Sequence, residues 1–155
     1  MSSVDPPALQ EAVIALRQAL SKRLIAVVLF GSRARGEAHE MSDWDLLVIA
    51  RDLPAKTLAR HVLLKNALPA HWRAKVAILG KTPEEFEAAL PSLYLDIALD
   101  GIALYDPEDY ATVRLARLRR LIETRGLRRE ADRRDLAWHW QQFPGFNWSL
   151  EWEGA

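Results

Sequence analysis

The stretch that decides the fold runs from residue 24 to residue 48, and it opens with the apolar run LIAVVLF at Leu24–Phe30. This run is rich in β-branched residues and stops at a glycine, which is typical of a strand buried on both faces. Residues 31–36 then read GSRARG, and residues 42–48 read SDWDLLV. The second apolar block predicts another buried strand over Trp44–Ala50, so a short polar turn joins two strands of one sheet.

Helical and strand patterns are interspersed along the remaining chain. We therefore expect a sheet with helices packed on it, an α/β fold that some schemes class as α+β. Thr82 and Pro83 are typical of a helix start, and Gly101 is typical of a helix end. Apolar spacing predicts helices over residues 8–20, 58–68, 82–90, 91–100 and 109–125, and strands over residues 75–79 and 102–105.

Length and composition narrow the possible functions. The chain has 155 residues and predicts one folded unit, with a core over residues 1–106 and an Arg-rich helix and Trp-rich tail over 107–155. The absence of Cys excludes thiolate catalysis and Cys-ligated zinc. With 21 basic and 21 acidic residues, bulk charge does not favour binding to nucleic acid or to a membrane. Without a signal-peptide pattern or a long apolar stretch, we expect a cytoplasmic protein.

Two carboxylates stand at the start of the second strand. Asp43 and Asp45 are two residues apart, so their side chains point to the same face while Trp44 points to the other. Like charges so close repel each other, and a cation between them relieves the repulsion. Mg²⁺ suits such a pair because it takes oxygen ligands and commonly uses one or two carboxylates with water and phosphate.

The turn before these acids suits a phosphate. Gly31 follows a buried strand directly and precedes the small hydroxyl residue Ser32, so backbone N–H groups and a side-chain O–H can approach an anion closely. A phosphate-binding turn and a carboxylate pair at one edge of a sheet are the smallest set of groups that metal-assisted phosphoryl or nucleotidyl transfer requires.

The combination of residues 31–36 with residues 42–48 resembles the signature of the nucleotidyltransferase superfamily that includes DNA polymerase beta. It is most similar to the small members called minimal nucleotidyltransferases. The resemblance implies a mixed sheet flanked by helices, and transfer of a nucleoside monophosphate from a nucleoside triphosphate, ATP in the first instance, to an acceptor hydroxyl with Mg²⁺ as cofactor. It also implies that Gly31 and Ser32 bind the triphosphate, with Arg33 and Arg35 as phosphate neighbours, and that Asp43 and Asp45 bind the metal.

The acceptor is left open by the resemblance. Similar small members often accompany a helical partner in toxin-antitoxin pairs and modify it, so we expect a protein hydroxyl, with small molecules and RNA ends as alternatives.

One feature departs from the family pattern. Active members carry a third carboxylate on the next strand of the sheet, whereas the expected strand 75–79 contains no acid. Asp96 and Asp100 follow in a predicted helix, where an i, i+4 spacing puts them on one face. Either one of them reaches the metal from this helix, or the site has two carboxylates and the protein is a catalytically impaired nucleotide-binding or partner-binding module.

The C-terminal third leaves further alternatives. The Arg-rich stretch either is a solvated helix face or binds RNA, nucleotide phosphate or an acidic partner. The tail contains four of the six Trp, which either pack on the protein itself or form an interface with a partner protein or a second copy.

Overall fold

The computed structural model describes residues 7–132, 135–140 and 152. It confirms both strands of the deciding stretch with the expected bounds. The sequence also predicts that Asp5 caps the first helix with Pro6 and Pro7 in its first turn, and of these residues Asp5 and Pro6 lie outside the described ones. The elements, in chain order, are α1 Pro7–Leu20, β1 Leu24–Phe30, α2 Gly31–Arg35, β2 Trp44–Ala50, α3 Thr57–Ala67, α4 Ala70–Arg73, β3 Val76–Lys81, α5 Pro83–Ala88, α6 Ser92–Asp100, β4 Ile102–Tyr105, α7 Tyr110–Thr124, β5 Leu127–Asp132 and β6 Asp135–Trp140.

The main sheet has four strands in the order β3-β2-β1-β4. β1 is antiparallel to both of its neighbours, β2 and β4, whereas β2 and β3 are parallel. The sheet is therefore mixed and flanked by helices, as expected. The central strands β1 and β2 are almost entirely buried, which explains why their sequences are continuously apolar.

Each face of the sheet contributes to its own apolar cluster. Val28 and Leu47 point toward α5, α6 and α7, whose core residues include Phe86, Ile97 and Leu118. The opposite face, with residues such as Leu29 and Leu46, packs against α1 and α3. The alternation of side chains along a strand assigns Asp45 to the first face, because it lies two residues before Leu47.

β3 continues two residues beyond the predicted end, through Gly80 to Lys81. A Cβ built on Gly80 would lie 2.4 Å from Leu64 Cδ1, so α3 packs directly over the backbone here. Gly80 therefore permits close packing of a helix on the strand instead of ending the strand.

The Arg-rich helix α7 is also part of the core. Its apolar side buries Leu115 and Leu118. Several of its arginines bind within the protein: Arg114 pairs with Glu87 at 2.9 Å, and Arg119 donates to the Ala98 carbonyl at 2.9 Å. Much of the local positive charge thus has a structural role. None of the helices in the described ranges combines the length and apolar composition needed to cross a bilayer.

The tail forms a β5–β6 hairpin that the sequence did not predict, paired in register from Leu127 with Trp140 to Asp132 with Asp135. Two tail tryptophans pack on the protein itself. Trp152 lies against Phe86 with ring centroids 5.2 Å apart, and its Nε1 donates to the Phe86 carbonyl. Trp138 Nε1 donates to Asp96 Oδ1 at 3.0 Å. Trp148 lies outside the described residues.

Thr82 caps α5 as the sequence predicts, and the structure adds a full capping box. Thr82 Oγ1 accepts from the Glu85 N–H, and Glu85 Oε1 accepts from the Thr82 N–H. Glu85 also pairs with Arg60 at 2.7 Å. The hydrogen bond from Arg60, followed by that from Thr82, lowers the pKa of Glu85 to about 2.

Replacing Glu85 with Gln should therefore destabilise the protein by about 1 kcal/mol at pH 7, a modest loss because the side chain is well exposed. A lowered pKa stabilises the fold above the ordinary value of 4.5 and ceases to do so as the pH falls toward 2. Urea unfolding at pH 7 and pH 3 should show the difference from wild type shrinking with acidity. Glu84→Gln, the same charge change in the same helical turn, should lack this difference, and equal effects of both variants would contradict the assignment.

Candidate active site

The sheet brings the two motifs together at the end of β1. Because β1 and β2 are antiparallel, the last residue of β1 lies beside the start of β2, and Phe30 pairs with Asp45. The next residue, Gly31, starts the short helix α2. The glycine turn and the carboxylate pair therefore meet at one edge of the sheet.

Gly31 is in direct contact with Asp45. Its φ is +76°, in the left-handed region that favours glycine, and a Cβ built on it would lie 2.1 Å from Asp45 Oδ2. Any side chain at position 31 would occupy the place of the carboxylate. The glycine thus allows the backbone of the turn and the Asp45 carboxylate to lie against each other.

The two carboxylates differ in their surroundings. Asp43 precedes β2 and is exposed, whereas Asp45 is half-buried. Burial raises the pKa of Asp45, the nearby Asp43 raises it further, and Arg35 opposes both effects. A partly desolvated carboxylate beside a second one is an environment that favours a cation.

Ser32 lies half-buried in α2, directly after Gly31. Its carbonyl accepts the N–H groups of Gly36 and Glu37, which closes the turn. Within the described part of the chain, its hydroxyl has no hydrogen-bond partner. That hydroxyl is therefore available to a ligand.

Arg33 holds the loop between the two motifs. Its Nη2 and Nε donate to the Ser42 carbonyl at 2.9 and 3.2 Å, and its guanidinium lies 4.5 Å from the centroid of the Trp44 ring. These contacts give Arg33 a structural role in closing the loop, and its expected contact with a phosphate stays a prediction.

Arg35 lies at the end of α2, and its charge acts on Asp45. Its Nε donates to Glu37 at 3.0 Å, while its Nη1 lies 3.5 Å from Asp100 Oδ2. Only the first of these distances is that of a strong hydrogen bond. Of the two arginines of α2, Arg35 is the one whose charge lies near the carboxylates, where it could contact an anion.

The strand next to β2 carries no acid where a third carboxylate is expected. In the parallel pairing of β2 with β3, Ala77 lies beside Asp45. Neighbouring residues in register share a face of the sheet, so Ala77 occupies the position that faces the site.

Asp96 and Asp100 do share a face of α6, but that face binds the β5–β6 hairpin. Arg129 pairs with Asp100 through Nη1 at 2.6 Å and Nη2 at 2.9 Å, and with Asp96 at 3.2 Å. Across the ranges that the structure describes, no three His, Cys, Asp or Glu side chains converge as a metal site. The expectation that Asp96 or Asp100 completes the site with Asp43 and Asp45 is therefore not met, because both acids are neutralised by Arg129.

Asp43 and Asp45 nevertheless fit a magnesium ion. They offer hard oxygen ligands on one face, and the raised pKa of Asp45 reflects a negative, partly desolvated position. Two carboxylates are enough for Mg²⁺ when water and phosphate oxygens supply the remaining ligands.

Sequence reasoning missed Arg129 and the close contact between Gly31 and Asp45. A glycine directly after one strand and an acid at the start of the next strand could have predicted the contact. The alternating aromatic residues Trp138 and Trp140 were the only local signal for the hairpin that carries Arg129.

Substituting Gly31 with Ala should cost more than 2 kcal/mol, since a left-handed residue with a side chain costs about 1–2 kcal/mol and the new methyl group would displace the Asp45 carboxylate. Gly36→Ala is the matched control, because Gly36 has a similar φ of +74° and is exposed. In an Asp45→Ala background the cost of Gly31→Ala should fall to that of the control. Additive effects in chemical denaturation would argue against the contact.

The substitution Asp45→Asn should stabilise the protein at pH 7. A raised pKa means that the folded state disfavours the charged form, and the amide removes that charge. The gain is measured as a rise in Tm, and each 1 kcal/mol corresponds to roughly 2–4 °C for a chain of this size. Asp100→Asn should lower Tm instead, because it leaves Arg129 without its main partner. A fall in Tm for Asp45→Asn, measured by calorimetry, would oppose this reading.

Comparison with known proteins agrees with the fold and with the position of the motifs. A family model described as a nucleotidyltransferase domain matches residues 13–103. A Methanocaldococcus jannaschii protein named as a proposed protein adenylyltransferase is 34% identical over 111 residues, which are 69% of this chain and 76% of the relative.

Solved structures share the fold at lower identity. One chain of a toxin-antitoxin crystal structure with AMP-PNP has a TM-score of 0.54 and 20% identity, and the match covers 73% of this chain and 86% of that one. A chain of the complex between tri-AMPylated Shewanella oneidensis HEPN toxin and MNT antitoxin has a TM-score of 0.51 and 17% identity over 74% and 83% of the two chains. Because the family model spans more than half of the chain and includes both motifs, the protein is a transferase that belongs to the nucleotidyltransferase domain family.

Proposed function

We propose that this protein transfers a nucleoside monophosphate from ATP to a hydroxyl group of a partner protein, with Mg²⁺ as cofactor. The observation that carries this proposal is the meeting of the Gly31 turn with the Asp43 and Asp45 carboxylates at one edge of the sheet. This arrangement supplies an anion site and a cation site next to each other.

In this proposal Asp43 and Asp45 hold the metal, which when bound neutralises phosphate charge and stabilises the charge that develops during transfer. The Ser32 hydroxyl and the N–H groups of the turn donate to the phosphates, because the hydroxyl has no other partner among the described residues. Arg35 adds a positive charge at the same edge. Arg33 supports the loop that joins the two motifs.

The reaction is an in-line displacement at the α-phosphorus. The acceptor oxygen forms a bond to this phosphorus, the bond to the pyrophosphate oxygen breaks, and the hydroxyl proton is released. The chain's contribution is to position the triphosphate and to stabilise the transition state electrostatically.

A protein acceptor is supported by what the related proteins are named for. The archaeal relative is named as a proposed protein adenylyltransferase, and one structural neighbour is a chain of a complex between a tri-AMPylated toxin and an antitoxin. We infer a comparable cytoplasmic partner, such as the toxin of a toxin-antitoxin pair, and place the modified hydroxyl on it.

One observation favours a second function. Ala77 stands in the position beside Asp45 that faces the site, so two carboxylates must do what three do in the family pattern. The alternative is a catalytically impaired module that binds nucleotide or a partner without transferring a nucleotide.

The test uses the full chain with ATP labelled at the α-phosphate, Mg²⁺, and a HEPN toxin of the class named for the structural neighbour as acceptor. Asp43→Asn and Asp45→Asn should each reduce pyrophosphate release and label transfer by about 100-fold or more, a loss typical of transition-state groups. Asp52→Asn is the matched control, because Asp52 is an exposed aspartate just beyond the opposite end of β2.

Nucleotide binding that depends on Asp43 and Asp45 but never leads to pyrophosphate release, with protein and small-molecule acceptors alike, would establish the binding-module alternative. Equal nucleotide binding and equal transfer by the Asp45→Asn variant and wild type would contradict both functions.

A further inference from the structure

Four charged side chains form a cluster between the C-terminal hairpin and the site, and we call them the arginine-aspartate cluster: Arg35, Asp96, Asp100 and Arg129. The cluster connects three elements that are distant in sequence. Arg35 ends α2, Asp96 and Asp100 lie on α6, and Arg129 lies on β5. Two positive charges face two negative charges, so the cluster is neutral as a whole.

Asp100 is shared unequally between the two arginines. Arg129 binds both of its oxygens, at 2.6 and 2.9 Å, whereas Arg35 approaches only Oδ2, at 3.5 Å. The bidentate pair is a strong geometry, and the longer contact is a weak one. The Asp100 carboxylate therefore interacts chiefly with the hairpin.

The cluster is largely shielded from solvent, which strengthens the competition of Arg35 and Arg129 for the Asp100 carboxylate. The side chains of Asp100, Arg129 and Arg35 are 10%, 18% and 21% exposed. Charges in such surroundings interact more strongly than at the surface, so an unpaired carboxylate would attract the nearest cation.

The hairpin also fixes the position of Arg129. Trp138 on the neighbouring strand pairs with Arg129 in register, and its Nε1 donates to Asp96 Oδ1 at 3.0 Å. Arg129 neutralises the charges of Asp96 and Asp100 on α6, and Trp138 gives Asp96 a further hydrogen bond. The alignment of the hairpin thus determines how much negative charge remains for Arg35.

We propose that Arg129 is a positioning residue for nucleotide transfer: by engaging Asp100, it leaves Nη1 of Arg35, whose Nε already binds Glu37, available to contact the triphosphate. The inference rests on the proposed function for its nucleotide part. In the absence of Arg129, two carboxylates would face one arginine, and Asp100 would draw Arg35 into a close pair away from the Asp45 edge.

Arg129→Gln tests this coupling, with Arg128→Gln as the matched control. Arg128 is the preceding residue on β5, is 61% exposed and pairs only with the exposed Glu130 among the described residues. Arg129→Gln should raise the Kd for Mg-ATP, and the KM for ATP, about tenfold with a smaller change in kcat, a usual scale for coupling between two sites. Arg128→Gln should leave all three values as in wild type.

A suppressor variant separates positioning from general damage to the fold. Adding Asp100→Asn to Arg129→Gln removes the charge that captures Arg35, so nucleotide affinity should recover most of its loss. In an Arg35→Gln background, Arg129→Gln should have no further effect on affinity. A merely structural role for Arg129 would give no recovery and would give additive losses.

A measurement without nucleotide tests separately whether Arg129 controls the position of Arg35. The side-chain ¹⁵Nε–¹H resonance of Arg35 should shift in full-length Arg129→Gln and return toward its wild-type position in the double variant with Asp100→Asn. An unchanged Arg35 resonance in folded Arg129→Gln would overturn the inference. If wild type binds no ATP, the proposed function fails, whereas this resonance still shows whether Arg129 controls Arg35.

Discussion

The site depends on the contact between the Gly31 backbone and the Asp45 carboxylate, and this contact requires two conditions. β1 and β2 must be antiparallel neighbours in one register, because a shift by one residue would point Asp45 to the opposite face. The residue after β1 must also lack a side chain, since a Cβ would lie within 2.1 Å of the carboxylate. With both conditions met, a turn rich in N–H donors lies against a carboxylate, and an anion and a cation can bind side by side.

The two-layered packing of helices keeps this edge in place. α1 and α3 cover one face of the sheet, while α5, α6 and α7 cover the face on which Asp45 lies. α6 has two functions there, since it buries Ile97 in the core and presents Asp96 and Asp100 to the hairpin. Asp96 and Asp100, which the sequence offered as metal ligands, instead attach the C-terminal hairpin near the site through Arg129.

The sequence predicted the elements with a strong local signal, namely the continuously apolar strands β1 and β2 and the helix α5 with its capping residue. It also placed Gly31, Ser32, Asp43 and Asp45 together, because a local hairpin of strands needs no distant information. The roles of Asp96, Asp100 and Arg33 could not be predicted, because each depends on a partner chosen by tertiary packing: Arg129 for the two acids, and the Ser42 carbonyl for Arg33. The extension of β3 through Gly80 depends likewise on α3 lying above it.

The positions of these contacts along the chain give the site an order of assembly. Phe30 and Asp45 belong to neighbouring strands, so their pairing closes a short loop, whereas Arg35 and Asp100 are 65 residues apart. Loop closure favours short-range contacts early in folding. The carboxylate edge can therefore form in the transition state for folding, while the arginine-aspartate cluster forms late. Interactions that form late act mainly on the unfolding rate, so we expect the cluster to affect chiefly the lifetime of the folded state, and the strand pair to affect chiefly the folding rate.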